Sequence, residues 1–209
     1  MASKGISIKF KILSITIIGI LILAGITSVF FIRNIKDQAV RAILEKSRAV
    51  VFTAEATREE MAQKIRNNVI RPFDELAETG DREMLLGAVP IITAIDVAAM
   101  HADEANYRFR VPKIEPRNPK NEPTPLEREV LLELQKGESN EKIIYEQDQV
   151  RYFKAIELSE ECMLCHGDPA GELDPIGGVK EGWETGEIHG AFEIISSLDE
   201  AKAIQRAEI

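Results

Sequence analysis

Residues 142–158 read KIIYEQDQVRYFKAIEL, and their pattern decides the fold class. Two runs, 142–146 and 150–158, carry β-branched and aromatic residues around a short polar break, which reads as a β-hairpin. Along the second run Val150, Tyr152, Ile156 and Leu158 alternate, so one face of that strand should turn towards a core. Downstream, residues 171–190 are glycine-rich and residues 191–196 form a further strand.

Upstream, residues 107–111 read as another short strand. Pro112, Pro116, Pro119, Pro123 and Pro125, with Asn118 and Asn121, then make a rigid loop that can join neither a sheet nor a helix interior. Its role is open between a lid and a packed connector. It ends in a capping box, with Thr124 as N-cap, Pro125 at the first helical position and Glu127 at the third; Gly137 should stop that helix. Gly80 and Pro90 bracket a short piece, and Pro90 suits the first turn of a helix running to about residue 105. From residue 34 to about 70 the pattern is helical, with Met61, Ile65 and Val69 four apart and Ile70 beside them, and no proline before Pro72. Ser197-Leu198-Asp199-Glu200 is a second capping box, opening a helix over 201–209. Helices around a small antiparallel sheet give an α+β class, PAS-like or Cache-like in outline.

Residues 12–32 contain no charge, and at about 1.5 Å of rise per residue they span roughly the 30 Å of a bilayer's hydrocarbon core. A cleaved signal peptide would have a shorter apolar stretch and an A-x-A-like site; Leu23-Ala24-Gly25 is followed by Ile26, where a lipoprotein signal needs cysteine. A buried core helix would tolerate charge on one side. A retained transmembrane helix continuing into the long helix fits best. Flanking charges do not orient it, because Lys4, Lys9 and Lys11 precede it and Arg33, Lys36 and Arg41 follow.

The chain has 209 residues and a net charge of −9; beyond residue 33 it holds 22 basic and 35 acidic residues. Such a surface repels phosphate backbones, so nucleic acid is not an expected partner.

Cys162-Met163-Leu164-Cys165-His166 carries the chemistry. C-x-x-C-H is the attachment pattern of one covalently bound haem c: two thiols meet the vinyl groups of one porphyrin, and the adjacent imidazole becomes the proximal iron ligand. Zinc would need two more ligands, for which His101 and His189 are the histidines available. A redox dithiol would want a thioredoxin-like βαβ context, and a structural disulfide would not ask for the histidine. These are the only two cysteines. For the sixth iron position His101 and His189 stand beside Met61, Met84, Met100 and an open site. Haem c is attached on the oxidising side of a membrane, which would place the domain outside and Lys4, Lys9 and Lys11 inside. No nucleophile–base pair or further metal constellation appears, so no enzyme is expected.

Three stretches in order, 107–131 (YRFRVPKIEPRNPKNEPTPLEREVL), 152–169 (YFKAIELSEECMLCHGDP) and 182–192 (GWETGEIHGAF), resemble the haem-c sensor domain family of bacterial chemoreceptors and histidine kinases, PAS-related domains formerly of unknown function. The resemblance runs from about residue 47 to about 200 and matches Cys162, Cys165 and His166 to the family's haem motif. It transfers no distal ligand. It implies periplasmic haem sensing coupled across the membrane; together with the apolar run and the side on which haem c is attached, the expected order is a cytoplasmic N-terminus (1–11), a transmembrane helix (12–32), a periplasmic haem-c sensor domain (34–200) and the start of a helix leading back towards the inner membrane (201–209). Receptors of that kind continue into a second membrane helix and a signalling domain, whereas this sequence stops at Ile209; it is a fragment or a stand-alone anchored cytochrome. The expected function is sensory input, by redox state or a small ligand at the haem, with a homodimer through the long helices as a possible assembly. The alternative is a mono-haem electron carrier with a redox partner.

Overall fold

The computed structural model describes residues 7–198, which fall into two units. As far as Ala42 the described chain is part of one helix, and the unit Ile43–Leu198 holds everything else. The expected helix start at Asp199-Glu200, its continuation through residue 209, and Lys4 lie outside the described residues.

Helix α1 spans Ile8–Arg66. Its leading part is apolar on every side, with Ile15, Leu21, Leu23, Ile26 and Phe30 all exposed, as suits a helix with apolar surroundings. By length and composition it is able to cross a membrane. The helix stops four residues short of the expected end. Asn68 takes a φ of 55°, and the amides of Val69 and Ile70 both donate to the Lys64 carbonyl at 2.9 and 3.2 Å, closing the terminus. Val69 therefore leaves the helical register of Met61 and Ile65 and is exposed.

Two short helices, α2 (Phe73–Glu78) and α3 (Arg82–Gly87), fill the piece between Pro72 and Pro90. Asp81 caps α3 by accepting from the Met84 amide at 3.0 Å. Helix α4 (Pro90–Ala99) begins on its proline as expected but ends earlier than residue 105. Turns carry residues 100–106, and the Tyr107 amide donates back to the Ala102 carbonyl at 3.0 Å. Helix α5 (Pro125–Leu134) has the full reciprocal capping box: the Glu127 amide donates to Thr124 Oγ1 at 3.3 Å, and the Thr124 amide to Glu127 Oε2 at 2.7 Å. Gly137, at φ 73°, follows its end.

Four antiparallel strands, β1 (Tyr107–Arg110), β2 (Glu141–Tyr145), β3 (Gln149–Glu157) and β4 (Ile188–Ser197), form one sheet in the order β1-β4-β3-β2. The α+β class is as read from the sequence. One expectation changes: β3 is central and covered on both sides, so Arg151 and Phe153 are buried along with Val150 and Tyr152. One face packs Tyr152, Ile156, Phe192 and Ile194 against Val51 and Ala54 of α1 and Ala94 and Ala98 of α4. The other packs Phe153, Ala155 and Ala191 against Val130, Leu131 and Leu134 of α5. A third cluster joins Phe73, Leu76, Leu85 and Val89, with Ile176 laid against it.

The β3–β4 ladder slips at one end, where Ile156 faces Gly190 but Glu157 faces Ile188. His189 is the extra residue of this bulge, a device that re-aims a side chain beside a functional region.

Candidate functional site

The chain leaves the sheet at Glu157 and re-enters it at Ile188. The intervening segment, 158–187, is pinned at its neck: the Leu158 amide donates to the Glu187 carbonyl at 3.0 Å and the Gly186 amide to the Leu158 carbonyl at 2.8 Å. Connections longer than about 12–15 residues without much regular structure are usually either functional or linkers, and this one is ordered by internal bonds.

The segment opens with a single 3₁₀ turn, Glu160–Cys162, followed by a one-turn helix α6 (Met163–His166). The Gly167 amide closes it on the Met163 carbonyl at 2.9 Å. A Cβ at Gly167 would lie 2.7 Å from that same carbonyl oxygen, so the tight exit after His166 requires glycine. Cys162 and Cys165 are unpaired and partly exposed, and their three-residue spacing brings both thiols to one side of the turn. Arg58 on α1 points Nη1 at Cys162 Sγ, 3.9 Å away, and Arg66 on α1 pairs with Glu161. Burial pushes the Cys165 thiol up to about 11, so it is no reactive thiolate at neutral pH.

His166 is gripped from both ends by residues 181–183. Its Nδ1 lies 2.7 Å from Glu181 Oε2. Its carbonyl accepts from the amides of Gly182 and Trp183 at 2.9 and 2.8 Å. Its ring stacks on Trp183 with centroids 4.9 Å apart and planes 14° from parallel. Trp183 also stacks on His189, at 3.9 Å and 10°, and Lys113 Nζ lies 4.3 Å from the indole centroid. Burial lowers the pKa of His166, against the opposing pull of Glu181. Burial also disfavours the Glu181 carboxylate, but bonds from Arg117 and His166 outweigh it and hold the group below its ordinary range.

Arg117, from the proline-rich loop, ties these pieces together. It donates Nε to Glu181 Oε1 and Nη2 to Glu181 Oε2, each at 2.8 Å. Nη2 also reaches the carbonyls of Cys165 and Val179 at 2.8 and 2.7 Å, and Nη1 pairs with the buried Asp174. Asp174 Oδ1 in turn accepts from the amides of Ile176 and Gly178 at 2.9 and 2.8 Å. The proline loop is thus a connector that clamps the site.

These residues fit a covalently held haem in four respects. Two free thiols stand one turn apart beside a histidine. That histidine commits Nδ1 to a carboxylate, which leaves the lone pair of Nε2 for iron. Leu164, Leu173 and Val179 are exposed apolar side chains in the same segment. Arg58 Nε is buried with no hydrogen-bond partner among the described residues, beside Cys162. Among the described residues no three His, Cys, Asp or Glu side chains gather as a set for a metal ion, as a zinc site would require.

The remaining ligand candidates are dispersed. His189 stacks on Trp183, as His166 does, and bonds Glu187 Oε2 through Nε2 at 3.0 Å. His101, just past α4, is well exposed and lies 3.3 Å from Glu104. Met100 is exposed beside it. Met61 and Met84 line a common cleft of about 410 Å³ with Val69, Ile70, Arg71 and Leu76. Sequence reasoning did not single out Arg117, Asp174, Glu181 or Trp183. The available signal was an arginine inside a proline loop and an acid–Gly–Trp run in a glycine-rich stretch.

A model of the family described as Tll0287-like matches residues 36–197. No curated protein matches the chain. Among solved structures, the crystal structure of the cyanobacterial haem protein Tll0287 is similar, with a TM-score of 0.58 and 16% identity over 75% of this chain and 95% of that one. At that identity the likeness is one of fold.

Proposed function

The chain belongs to the Tll0287-like family, and from that premise we propose that it is a membrane-anchored, extracytoplasmic haem-binding sensory domain with one haem c. Cys162 and Cys165 hold the porphyrin through thioether links, and His166 binds the iron. The observation that carries this reading is the pairing of His166 Nδ1 with Glu181 beside two free thiols, an arrangement that presents Nε2 as a metal ligand. The haem protein Tll0287, similar in fold, supports the choice of cofactor. When bound, the haem supplies an iron centre that changes charge on reduction or takes a small ligand.

Sensing is favoured over electron carriage by how the motif is tied to α1. Arg58 and Arg66 of that helix reach Cys162 and Glu161, so a haem held by this motif would be linked directly to the helix whose N-terminal part is the apolar stretch. The apolar segment 12–32 serves as the anchor in this reading.

The test is expression of the whole chain in a host that matures c-type cytochromes. Wild type should retain haem stain on a denaturing gel, and Cys162→Ala with Cys165→Ala together should abolish it. His166→Ala should keep the stain but lose the native low-spin spectrum. A wild-type protein without a Soret band would refute the reading.

A further inference from the structure

Resting on the haem reading above, we propose that Glu181 is the positioning residue for His166, fixing its tautomer and its donor strength towards iron, and that Arg117 holds Glu181 in place. An imidazole binds metal through a nitrogen that carries no proton, so a histidine that offers Nε2 must keep its proton on Nδ1. Glu181 Oε2 is 2.7 Å from that Nδ1 and accepts the proton's hydrogen bond. A carboxylate in this place pulls the proton towards itself and makes the opposite nitrogen a stronger donor.

The rest of the segment is built so that this bond cannot be lost by rotation. Arg117 engages both carboxylate oxygens of Glu181 at 2.8 Å in the forked geometry that only a guanidinium provides. The next two residues hold the His166 carbonyl through their amides, and Trp183 stacks on the ring. Gly182 makes this possible: it has a φ of 78°, and a Cβ there would lie 2.9 Å from Ala170 Cβ. If Glu181 served only to neutralise Arg117, nothing would require one of its oxygens to face Nδ1, and Arg117 already pairs with Asp174. The GWETGEIHGAF stretch, residues 182–192, thus begins directly after Glu181.

The experiment compares the haem-loaded whole chain as wild type, Glu181→Gln, Arg117→Lys and Glu161→Gln. Reduction potential is read by spectroelectrochemistry, and the iron–histidine stretching frequency by resonance Raman after photolysis of the ferrous carbon monoxide adduct. Glu181→Gln keeps the shape but removes the charge; the potential should rise and the stretching frequency fall. Arg117→Lys keeps a charge but loses the fork, and should move both readings in the same direction by less. Glu161→Gln removes an equal charge next to Cys162 but off the histidine, and should leave the frequency at its wild-type value. A Glu181→Gln protein with wild-type readings, or with only the Glu161→Gln shift in potential, overturns the proposal while leaving the haem reading intact. Should Glu181→Gln fail to fold, a folded Arg117→Lys protein with unchanged frequency overturns it equally. A wild type without haem overturns both.

Discussion

Strands β3 and β4 are neighbours in the sheet, yet segment 158–187 separates them along the chain, and the two regions are stabilised by different means. The sheet is held by apolar burial on two faces, with Phe153, Ala191, Phe192 and Ile194 nearly or fully inaccessible. The segment between has few buried side chains and is held instead by directional polar bonds, chief among them those of Arg117 and Asp174 to backbone groups. Apolar burial is non-directional and sums over many contacts, so a sheet tolerates small shifts. Directional polar bonds hold a few atoms in place at lower total stability, which would suit the proposed role of this segment in aiming His166.

The largest effect should come from the sheet. Phe192 is fully buried and its ring lies 5.7 Å from that of Phe109. Phe192→Ala should cost about 3–5 kcal/mol of unfolding free energy through lost transfer energy and the cavity left behind. Chemical denaturation followed by circular dichroism measures it. A loss under about 1 kcal/mol would mean that the sheet is not the stabilising centre.

The same contrast explains what the sequence made legible. Period-two alternation revealed the hairpin, and cap residues revealed α5, because each signal is local. The two-sided burial of β3 is not marked locally, since it depends on α1 and α4 packing on one face of the sheet and α5 on the other. For the site, Cys162, Cys165 and His166 stand adjacent in sequence and announce themselves, whereas Glu181 and Arg117 reach them from 15 and 48 residues away, respectively to His166 and Cys165. No local pattern marks a bond between distant loops.

A second break in the comparison lies inside the sheet itself, where charge is buried. Arg151 donates to Glu193 Oε1 at 2.6 Å and to Glu127 Oε1 at 2.9 Å, and Arg110 reaches Glu127 at 3.0 and 3.2 Å. Glu193 Oε2 is buried without a donor. Burial, then its bond to Glu127, pushes the Glu193 carboxyl up to about 8. A proton on Glu193, donated to Glu127, accounts for both facts. The folded pKa exceeds the unfolded value of 4.5, so this group's stabilisation is complete below pH 4.5 and is lost as pH rises towards 8. Glutamine mimics the protonated acid. Glu193→Gln should therefore match wild type near pH 5 and exceed it near pH 9 by a few kcal/mol at most. Thermal melts at the two pH values decide this, and equal melting temperatures at both would show that Glu193 is ionised throughout.

The smallest global effect should come from the arginine that organises the site. Arg117→Ala removes every bond to Glu181, Asp174 and the carbonyls of Cys165 and Val179. Asp174 is then a buried carboxylate without its cation, a situation that costs about 3–5 kcal/mol when it must be borne. The segment need not bear it. With Arg117 gone, the part of the segment around Asp174 can open locally and solvate that carboxylate while the neck, the Arg66–Glu161 pair and the sheet stay formed. Global unfolding free energy should then fall by less than about 1 kcal/mol, in contrast to Phe192→Ala. Hydrogen exchange at the amides of Ile176, Gly178 and Gly182 should accelerate by roughly 10–100-fold, the kinetic image of about 1.4–2.8 kcal/mol. Amides of β3 and β4 should keep their protection. If exchange rises equally in the strands and in the segment, the two regions unfold together, and the division between a sheet held by burial and a site held by polar clamps fails.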